Sequence, residues 1–120
     1  FELFDKTNLG LTEFAEQINF QRALEGELER TIASLKEVEQ ARVHLTLAKK
    51  SVFAAERKPA KASVVLQLRG GAKLTPASVQ SIAFLLSSAV DELAPEHISI
   101  LDQNGTLLSR PKKHLQADEE

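Results

Sequence analysis

The chain has 120 residues, of which 42% are hydrophobic and 27% are charged, and its formal net charge is −2. This length favours one domain built around a single core, and the composition excludes wholesale disorder and collagen-like repeats. The absence of cysteine excludes disulfides, thiolate zinc sites, iron–sulfur clusters and cysteine nucleophiles.

The chain begins at Phe1 and contains no methionine, so we expect it to be a fragment of a longer protein. Its longest strictly apolar run, residues 82–86, is far shorter than the about 20 residues needed to span a bilayer. We therefore expect a soluble fragment, with any membrane span of the parent protein outside it.

Residues 1–11 are predicted to be an extended linker that leads into the domain, because polar residues and Gly10 follow a short alternation. A first helix is predicted over residues 12–35, with Thr12 as its N-cap. Apolar residues recur in it at intervals of three and four, which predicts one buried stripe. The stripe consists of Phe20, Leu24, Leu28, Thr31, Ile32 and Leu35.

Two stretches then alternate between apolar and polar residues, with the period of two that is typical of half-buried strands. The first strand is predicted at residues 41–47 and the second at residues 62–68. Residues 48–61 between them form a predicted basic loop that carries Phe53. Loops of this length are often functional.

A second helix is predicted to begin at Thr75, whose hydroxyl can cap it, with Pro76 in the first helical position. Its apolar stripe continues to Leu93, and Pro95 ends it.

A third strand is predicted at Ile98 and Ile100, and Asn104-Gly105 predicts a two-residue hairpin with an antiparallel return at residues 106–108. Residues 110–120 have no apolar period and are predicted to be a flexible tail, which leaves a domain at residues 12–109. The order helix-strand-strand-helix-strand predicts an α+β fold. In it, two helices pack on one face of a small three-stranded sheet, with a short C-terminal hairpin strand.

Side chains that support catalysis or metal binding are sparse. The histidines are isolated from one another and lack the two-histidine helical spacing of zinc sites; they are His44, His97 and His114. A cluster of carboxylates is predicted to lie on a solvated helix face, opposite the apolar stripe; it consists of Glu25, Glu27 and Glu29. Residues 102–105 begin like a calcium loop, but the bidentate glutamate that such a loop requires is missing. We therefore predict no catalytic residue, metal or cofactor.

Charge is distributed unevenly along the chain. Asp, Glu, Lys and Arg sum to −5 over residues 1–40, +7 over residues 41–75 and −4 over residues 76–120. This layout is compatible with internal neutralisation, with binding of a polyanion, or with head-to-tail contact between copies. A KH-like nucleic-acid module is the alternative function, although the chain has no Gly-x-x-Gly loop and no Tyr or Trp for base stacking.

Several stretches carry a resemblance to a known family. They are Phe-Glu-Leu-Phe-Asp at residues 1–5, Asn-Phe-Gln-Arg-Ala-Leu-Glu-Gly-Glu-Leu-Glu-Arg-Thr-Ile at 19–32, Ala-Arg-Val-His-Leu at 41–45, Ser-Val-Phe at 51–53, Ala-Ser-Val-Val-Leu at 62–66 and Asp-Gln-Asn-Gly at 102–105. They resemble the periplasmic ring-building domain of the FliF family of flagellar M-ring (MS-ring) proteins, over nearly the whole chain to Ser109. Residues 25–45 are also similar to the YscJ group, the ring lipoproteins of type III secretion systems.

The resemblance implies a structural protein rather than an enzyme. Many copies would form a homo-oligomeric ring in the bacterial inner membrane, held by membrane spans outside this chain. The domain would lie on the periplasmic side with other flagellar basal-body proteins, and the ring would anchor the rotor and support motility. No nucleic acid, small-molecule substrate or cofactor is implied.

Closure of a ring requires two different faces of one subunit to meet. We expect charged residues of the first helix to pair with basic residues of a neighbouring copy. The helix residues are Arg22, Glu25, Glu29 and Arg30, and the basic residues are Arg42, Arg57 and Lys58. Reversal of Glu25 and Glu29 to lysine is then expected to leave the fold intact and to reduce assembly.

Gly26 lies in the middle of the predicted first helix, where glycine costs about 1 kcal/mol relative to alanine. Close approach of another backbone, from the sheet or from a neighbouring copy, would explain its presence.

Overall fold

The computed structural model describes residues 6–48 and 58–109. The helices are α1, Lys6–Ala33, and α2, Pro76–Ala89. The strands are β1, Val38–Thr46, β2, Lys61–Leu68, and β3, Ile98–Leu101, with a short 3-10 turn at Pro95–His97 before β3. Residues 49–57, which include Phe53 and much of the predicted basic loop, lie outside the described residues.

The three strands form one mixed sheet in the order β1-β2-β3. β1 and β2 are antiparallel, with Val43 opposite Val64, and β2 and β3 are parallel, with Val64 opposite Ile100. A parallel pair needs a long crossover, which α2 supplies between β2 and β3.

The core lies between the helices and one face of this sheet. On β2 the inward residues alternate along the whole strand, as predicted; they are Ala62, Val64, Leu66 and Leu68. The helices contribute buried residues to the same cluster: Leu28 and Ile32 from α1, and Val79, Ile82 and Leu86 from α2. The predicted α+β arrangement, with two helices on one face of a three-stranded sheet, is confirmed.

Helix α1 begins six residues earlier than predicted, at Lys6 instead of residue 12. The predicted extended conformation is therefore wrong for residues 6–11, and Thr12 lies inside the helix. A single glycine costs a helix only about 1 kcal/mol, so Gly10 does not end it. Residues 1–5 and 110–120 lie outside the described residues, and the domain limits at residues 12 and 109 stay a prediction.

The predicted stripe on α1 is only partly correct. Leu28 and Ile32 are buried and Leu24 is half-buried, but Phe20 is 63% exposed, and Thr31 and Leu35 are exposed too. Each four-residue step along a helix overshoots a full turn by about 40°. Phe20 is therefore rotated by about 80° from Leu28, away from the sheet.

Helix α2 starts where the sequence predicts. The Ser78 N–H donates to the Thr75 hydroxyl oxygen at 3.1 Å, and Pro76 occupies the first helical turn. The helix ends at Ala89 and not near Leu93. Val90 and Leu93 are still buried, but a turn carries them, in which Glu92 has a φ of 62°.

Thr75→Ala is expected to lower the free energy of unfolding by about 1 kcal/mol, because it removes the acceptor of an otherwise unpaired helical N–H. Urea denaturation measures this loss. Thr75→Ser retains the hydroxyl and is the control; an equal loss in both variants would show that the cap bond is not its cause.

The hairpin after β3 is present, with an antiparallel bridge between Leu101 and Leu107. Its loop has three residues, 103–105, and not the predicted two, because the Asp102 N–H donates to the Thr106 carbonyl at 3.1 Å. The Asp102 carboxylate accepts two further backbone N–H groups, those of Asn104 and Thr106, and Gly105 adopts a φ of 80°. A three-residue loop of this kind requires a left-handed residue at its end, which glycine supplies.

Candidate interaction surfaces

Helix α1 covers the free edge of β1 with polar side chains. The Val43 N–H donates to Glu29 Oε2 at 2.9 Å, and the Leu45 N–H donates to Glu25 Oε2 at 2.8 Å. Gln21 Nε2 donates to the Leu45 carbonyl oxygen at 2.8 Å. These three helix side chains, which we call the edge ladder, take the place of a neighbouring strand.

The edge ladder forms because two repeats have nearly equal lengths. Four residues of a helix rise about 6.0 Å, and two residues of a strand rise about 6.6 Å. Side chains four apart on α1 can therefore meet alternate backbone N–H groups of a strand that runs in the opposite direction. Since an open strand edge is a template for pairing with another chain, the edge ladder also closes that site.

The prediction that the clustered carboxylates lie on a solvated face is wrong for Glu25 and Glu29, which are half-buried and hydrogen-bonded to β1. It is correct for Glu27, which forms an exposed ion pair with Arg30 at 3.0 Å. An exposed pair of this kind contributes about 0–1 kcal/mol. The spacing of Gln21, Glu25 and Glu29 beside the apolar stripe was the available sequence signal for the edge ladder.

The other charged residues predicted for the interface are dispersed. Arg22 is exposed on α1, Arg42 lies on the open face of the sheet, Lys58 is exposed before β2, and Arg57 lies outside the described residues. Arg22 and Arg30 carry the same sign as the basic residues with which they are predicted to pair, so Coulomb attraction cannot join them. Pairing of Glu25 and Glu29 with basic residues of a neighbouring copy stays a prediction.

The other edge of the sheet, along β3, is also covered by side chains. The Ile100 N–H donates to Ser109 Oγ at 2.9 Å, and Ser109 Oγ donates to the Ile98 carbonyl at 3.1 Å. The Gln103 amide pairs with both backbone groups of Leu68, at 3.1 and 3.3 Å, beyond the end of β3. The Asp-Gln-Asn-Gly stretch therefore has a structural role. Because side chains occupy backbone groups on both edges of the sheet, copies of the domain are expected to meet through faces and not through strand pairing.

The open face of the sheet carries basic residues and one exposed apolar residue, Val65. Arg42 lies opposite Val65, His44 opposite Ser63, and Thr46 opposite Lys61 in the β1–β2 register. No carboxylate occupies an outward position in this part of the register, and Val65 is 41% exposed. We call Arg42, His44, Lys61 and Val65 the basic sheet face.

The first half of α1 projects beyond the sheet, and residues 9–17 are all exposed. A groove of about 750 Å³ lies between this part of the helix and the end of β1, lined by residues that include Phe14, Ile18, Leu45 and Leu47. Of these residues, Phe14 is exposed, Ile18 and Leu47 are half-buried and Leu45 is buried, so the groove is apolar but only partly open. Apolar surface that remains exposed is typical of interaction sites.

Gly26 is not explained by the sheet. A Cβ at this position would lie 3.5 Å from Arg30 Nη1, the far end of a flexible side chain, and would meet no strand backbone. The prediction that the sheet backbone approaches Gly26 is therefore wrong, and approach by a neighbouring copy stays a prediction.

Gly26→Ala is expected to raise the free energy of unfolding by about 1 kcal/mol, since alanine has the higher helix propensity and fits the space. Thermal or urea denaturation checks the gain. A loss of stability would show that the glycine is required within the domain, and a gain with weakened assembly would indicate contact with a neighbouring copy.

No helix in the described part of the chain is long and apolar enough to cross a membrane. Within residues 6–48 and 58–109, no group of three or more His, Asp or Glu residues is arranged to hold a metal ion.

Two helices on one face of a mixed three-stranded sheet, with side chains on the sheet edges and one basic face open, define a ring-building domain. The chain belongs to the family described as secretory protein of YscJ/FliF RBM domain, which it matches over residues 2–109. This confirms the resemblance on which the sequence prediction rests.

The curated relatives are flagellar M-ring proteins. The chain is 46% identical to that of Salmonella typhimurium (strain LT2) over 110 residues, which are 92% of this chain and 20% of the relative. It is 48% identical to that of Aquifex aeolicus (strain VF5) over 105 residues, which are 88% of this chain and 22% of the relative. The chain thus spans about a fifth of the length of these relatives.

Solved structures agree with this assignment. A structure of the 58-213 fragment of FliF superposes with a TM-score of 0.67 at 48% identity, covering 75% of this chain and 58% of that one. The type III secretion system protein EscJ of enteropathogenic E. coli superposes with a TM-score of 0.59 at 24% identity, covering 72% and 49%. The second likeness is one of fold alone.

Proposed function

We propose that this chain is a structural self-assembly domain of the flagellar basal-body MS ring. Many copies form subunit–subunit contacts in an inner-membrane ring that anchors the rotor and supports motility. The observation that carries the proposal is the match to the YscJ/FliF family over residues 2–109, with flagellar M-ring relatives 42–48% identical over most of the chain.

The described surfaces support contact through faces of the domain. The edge ladder and the Ser109 and Gln103 contacts occupy the sheet edges, whereas Arg42 and Lys58 are exposed. A ring needs two different faces of each subunit to meet. Exposed charge pairs contribute about 0–1 kcal/mol each, so charges set orientation and apolar contacts supply most of the affinity.

The role is structural, and it requires no catalytic residue, cofactor or substrate. Since the relatives are about five times as long as this chain, we assign the membrane anchor and the contacts with other basal-body proteins to the rest of the protein. We assign the ring-building domain itself to the periplasmic side of the membrane.

Sedimentation of the 120-residue chain over a wide range of concentration, at low and high salt, tests this function. We expect species larger than a dimer. Their self-association is expected to weaken as the salt concentration rises, because salt screens charges on exposed faces. A chain that remains monomeric throughout would place assembly outside this domain. Salt-sensitive binding of RNA by a monomer would instead support the KH-like alternative.

A further inference from the structure

Asn104 and Gly105 lie in the loop of the hairpin that follows β3, and both residues are exposed. Glycine has no Cβ, so its backbone nitrogen can approach the side chain of a preceding asparagine with little steric obstruction. Asn104 is the one asparagine of the chain that glycine follows, since Asn8 and Asn19 precede large side chains. This pair is therefore the place in the chain where an asparagine side chain can react with the neighbouring backbone.

The reaction that such a pair undergoes is deamidation. The Gly105 nitrogen attacks Asn104 Cγ, so that the N–Cγ bond forms, the Cγ–Nδ2 bond breaks, and ammonia leaves with the proton of the Gly105 N–H. Water then opens the resulting succinimide ring at either of its carbonyl carbons. The product is aspartate, or an isoaspartate whose backbone runs through the former side chain and is longer by one methylene. Water is the only co-reactant.

Hydrogen bonds of the hairpin restrain the groups that react. The Gly105 N–H donates to the Asp102 carbonyl oxygen at 3.0 Å. The Asn104 N–H and the Thr106 N–H both donate to Asp102 Oδ1, at 2.9 and 3.0 Å. One carboxylate oxygen thus holds the backbone on both sides of Gly105. Ring closure removes the Gly105 proton, so it cannot take place while the hydrogen bond of that N–H is kept.

The hairpin is in turn anchored to the sheet on both sides of the loop. The Gln103 amide pairs with the backbone of Leu68 at 3.1 and 3.3 Å, and the Leu108 N–H donates to the Ile100 carbonyl oxygen at 2.7 Å. The loop therefore opens only by local unfolding, which populates the open form for a small fraction of the time. Attack on Asn104 is limited to that fraction.

We propose that Asn104 is a site of spontaneous deamidation, and that the Asp102 carboxylate keeps the reaction slow while the hairpin is closed. The rate in the folded chain is then the rate in the open chain multiplied by the open fraction of the hairpin. This inference concerns the hairpin alone and does not rest on the proposed self-assembly function.

The modification changes the hairpin in which it takes place. Isoaspartate lengthens the backbone within the loop of three residues, so the Asp102 N–H and the Thr106 carbonyl no longer meet in the same register. Both products also place a second carboxylate close to that of Asp102, and like charges repel. The modified hairpin is therefore expected to hold the edge of β3 less firmly.

Peptide mass spectrometry of the incubated chain measures the reaction, through the mass gained when the side-chain amide becomes a carboxyl group. The chain is incubated at one mildly alkaline pH, folded or unfolded in guanidinium chloride. We expect Asn104 to react in denaturant and to react at least about tenfold more slowly in the folded chain, because several hydrogen bonds must break to open the loop. Asn8 and Asn19 are the internal controls, and in denaturant they are expected to react far more slowly than Asn104.

Asp102→Ala tests the restraint. It removes the acceptor of two backbone N–H groups, so the reaction in the folded chain is expected to accelerate about tenfold, with no change in denaturant. Asp102→Asn retains an acceptor oxygen and is expected to accelerate the reaction less. Thr106→Val keeps the Thr106 N–H and alters an exposed side chain beside the loop, so it is expected to have no effect. Circular dichroism establishes that each variant is folded.

The outcomes decide each part of the proposal. Deamidation of Asn104 that is slow in the folded chain and faster in Asp102→Ala supports it. Equal rates in the folded and unfolded chain would show that the hairpin exerts no restraint, and an unchanged rate in Asp102→Ala would show that the carboxylate is not the restraint. No reaction in denaturant would show that Asn104 is not a modification site.

Discussion

Replacement of Glu25 and Glu29 by alanine in the same chain is expected to lower the free energy of unfolding by about 2–4 kcal/mol. Each carboxylate accepts a backbone hydrogen bond from β1, at 2.8 and 2.9 Å. A hydrogen bond to a charged group contributes about 1.5–3 kcal/mol. We expect a loss of about 1–2 kcal/mol for each hydrogen bond, because both side chains are only half-buried and water can partly replace the carboxylates at the strand edge.

Urea denaturation followed by circular dichroism measures this loss. Glutamine at both positions retains an acceptor of the same shape and is expected to recover most of the stability. Glu27→Ala removes an exposed carboxylate of the same helix and is expected to change stability by less than about 0.5 kcal/mol. Equal stability of the double-alanine variant and the unaltered chain would show that the edge ladder contributes nothing.

The edge ladder also changes what reversal to lysine would test. Lysine at positions 25 and 29 would set ammonium donors against the N–H donors of Val43 and Leu45, and neither group could accept. We therefore no longer expect that variant to keep its fold intact, and a loss of assembly in it would not identify an interface.

Leu66→Ala is expected to cost about 2–5 kcal/mol, the range for removing a large aliphatic side chain from a packed core. Leu66 has 0% exposure and lies on the central strand, between β1 and β3, on the face that both helices cover. Truncation leaves a cavity that the neighbouring elements cannot readily fill.

Val65→Ala is the matched control, because the adjacent residue points to the open face and is 41% exposed. Its cost is expected to stay below about 1 kcal/mol. Comparable losses in the two variants, measured as the difference in urea midpoint, would contradict the assignment of the core to one face of the sheet.

The alternation on β2 shows what sequence patterns predict well. Residues 62, 64, 66 and 68 face the core as predicted, because the two-residue period of a strand is a local property of its backbone. The Thr75-Pro76 start of α2 is equally local, since the capping hydroxyl and the N–H it accepts are three residues apart.

The beginning of α1 and the exposure of Phe20 show where the sequence was insufficient. Residues 6–11 contain no strong helix signal, yet they continue the helix. Phe20 fits a four-residue interval with Leu24 and Leu28, but the stripe that contacts the sheet is rotated away from it. The side of α1 that is buried depends on which strand lies beside the helix.

The sequence by itself determined the family, the order of the elements and the inward face of the central strand, because these depend on composition, local period and resemblance. Only the tertiary structure decided that Glu25 and Glu29 bind the edge of β1 while Glu13 and Glu16 remain exposed. All four are glutamates on one helix, and their intrinsic chemistry is the same. They differ because β1 ends beside the middle of α1, so its backbone N–H groups reach Glu25 and Glu29 but not Glu13 and Glu16.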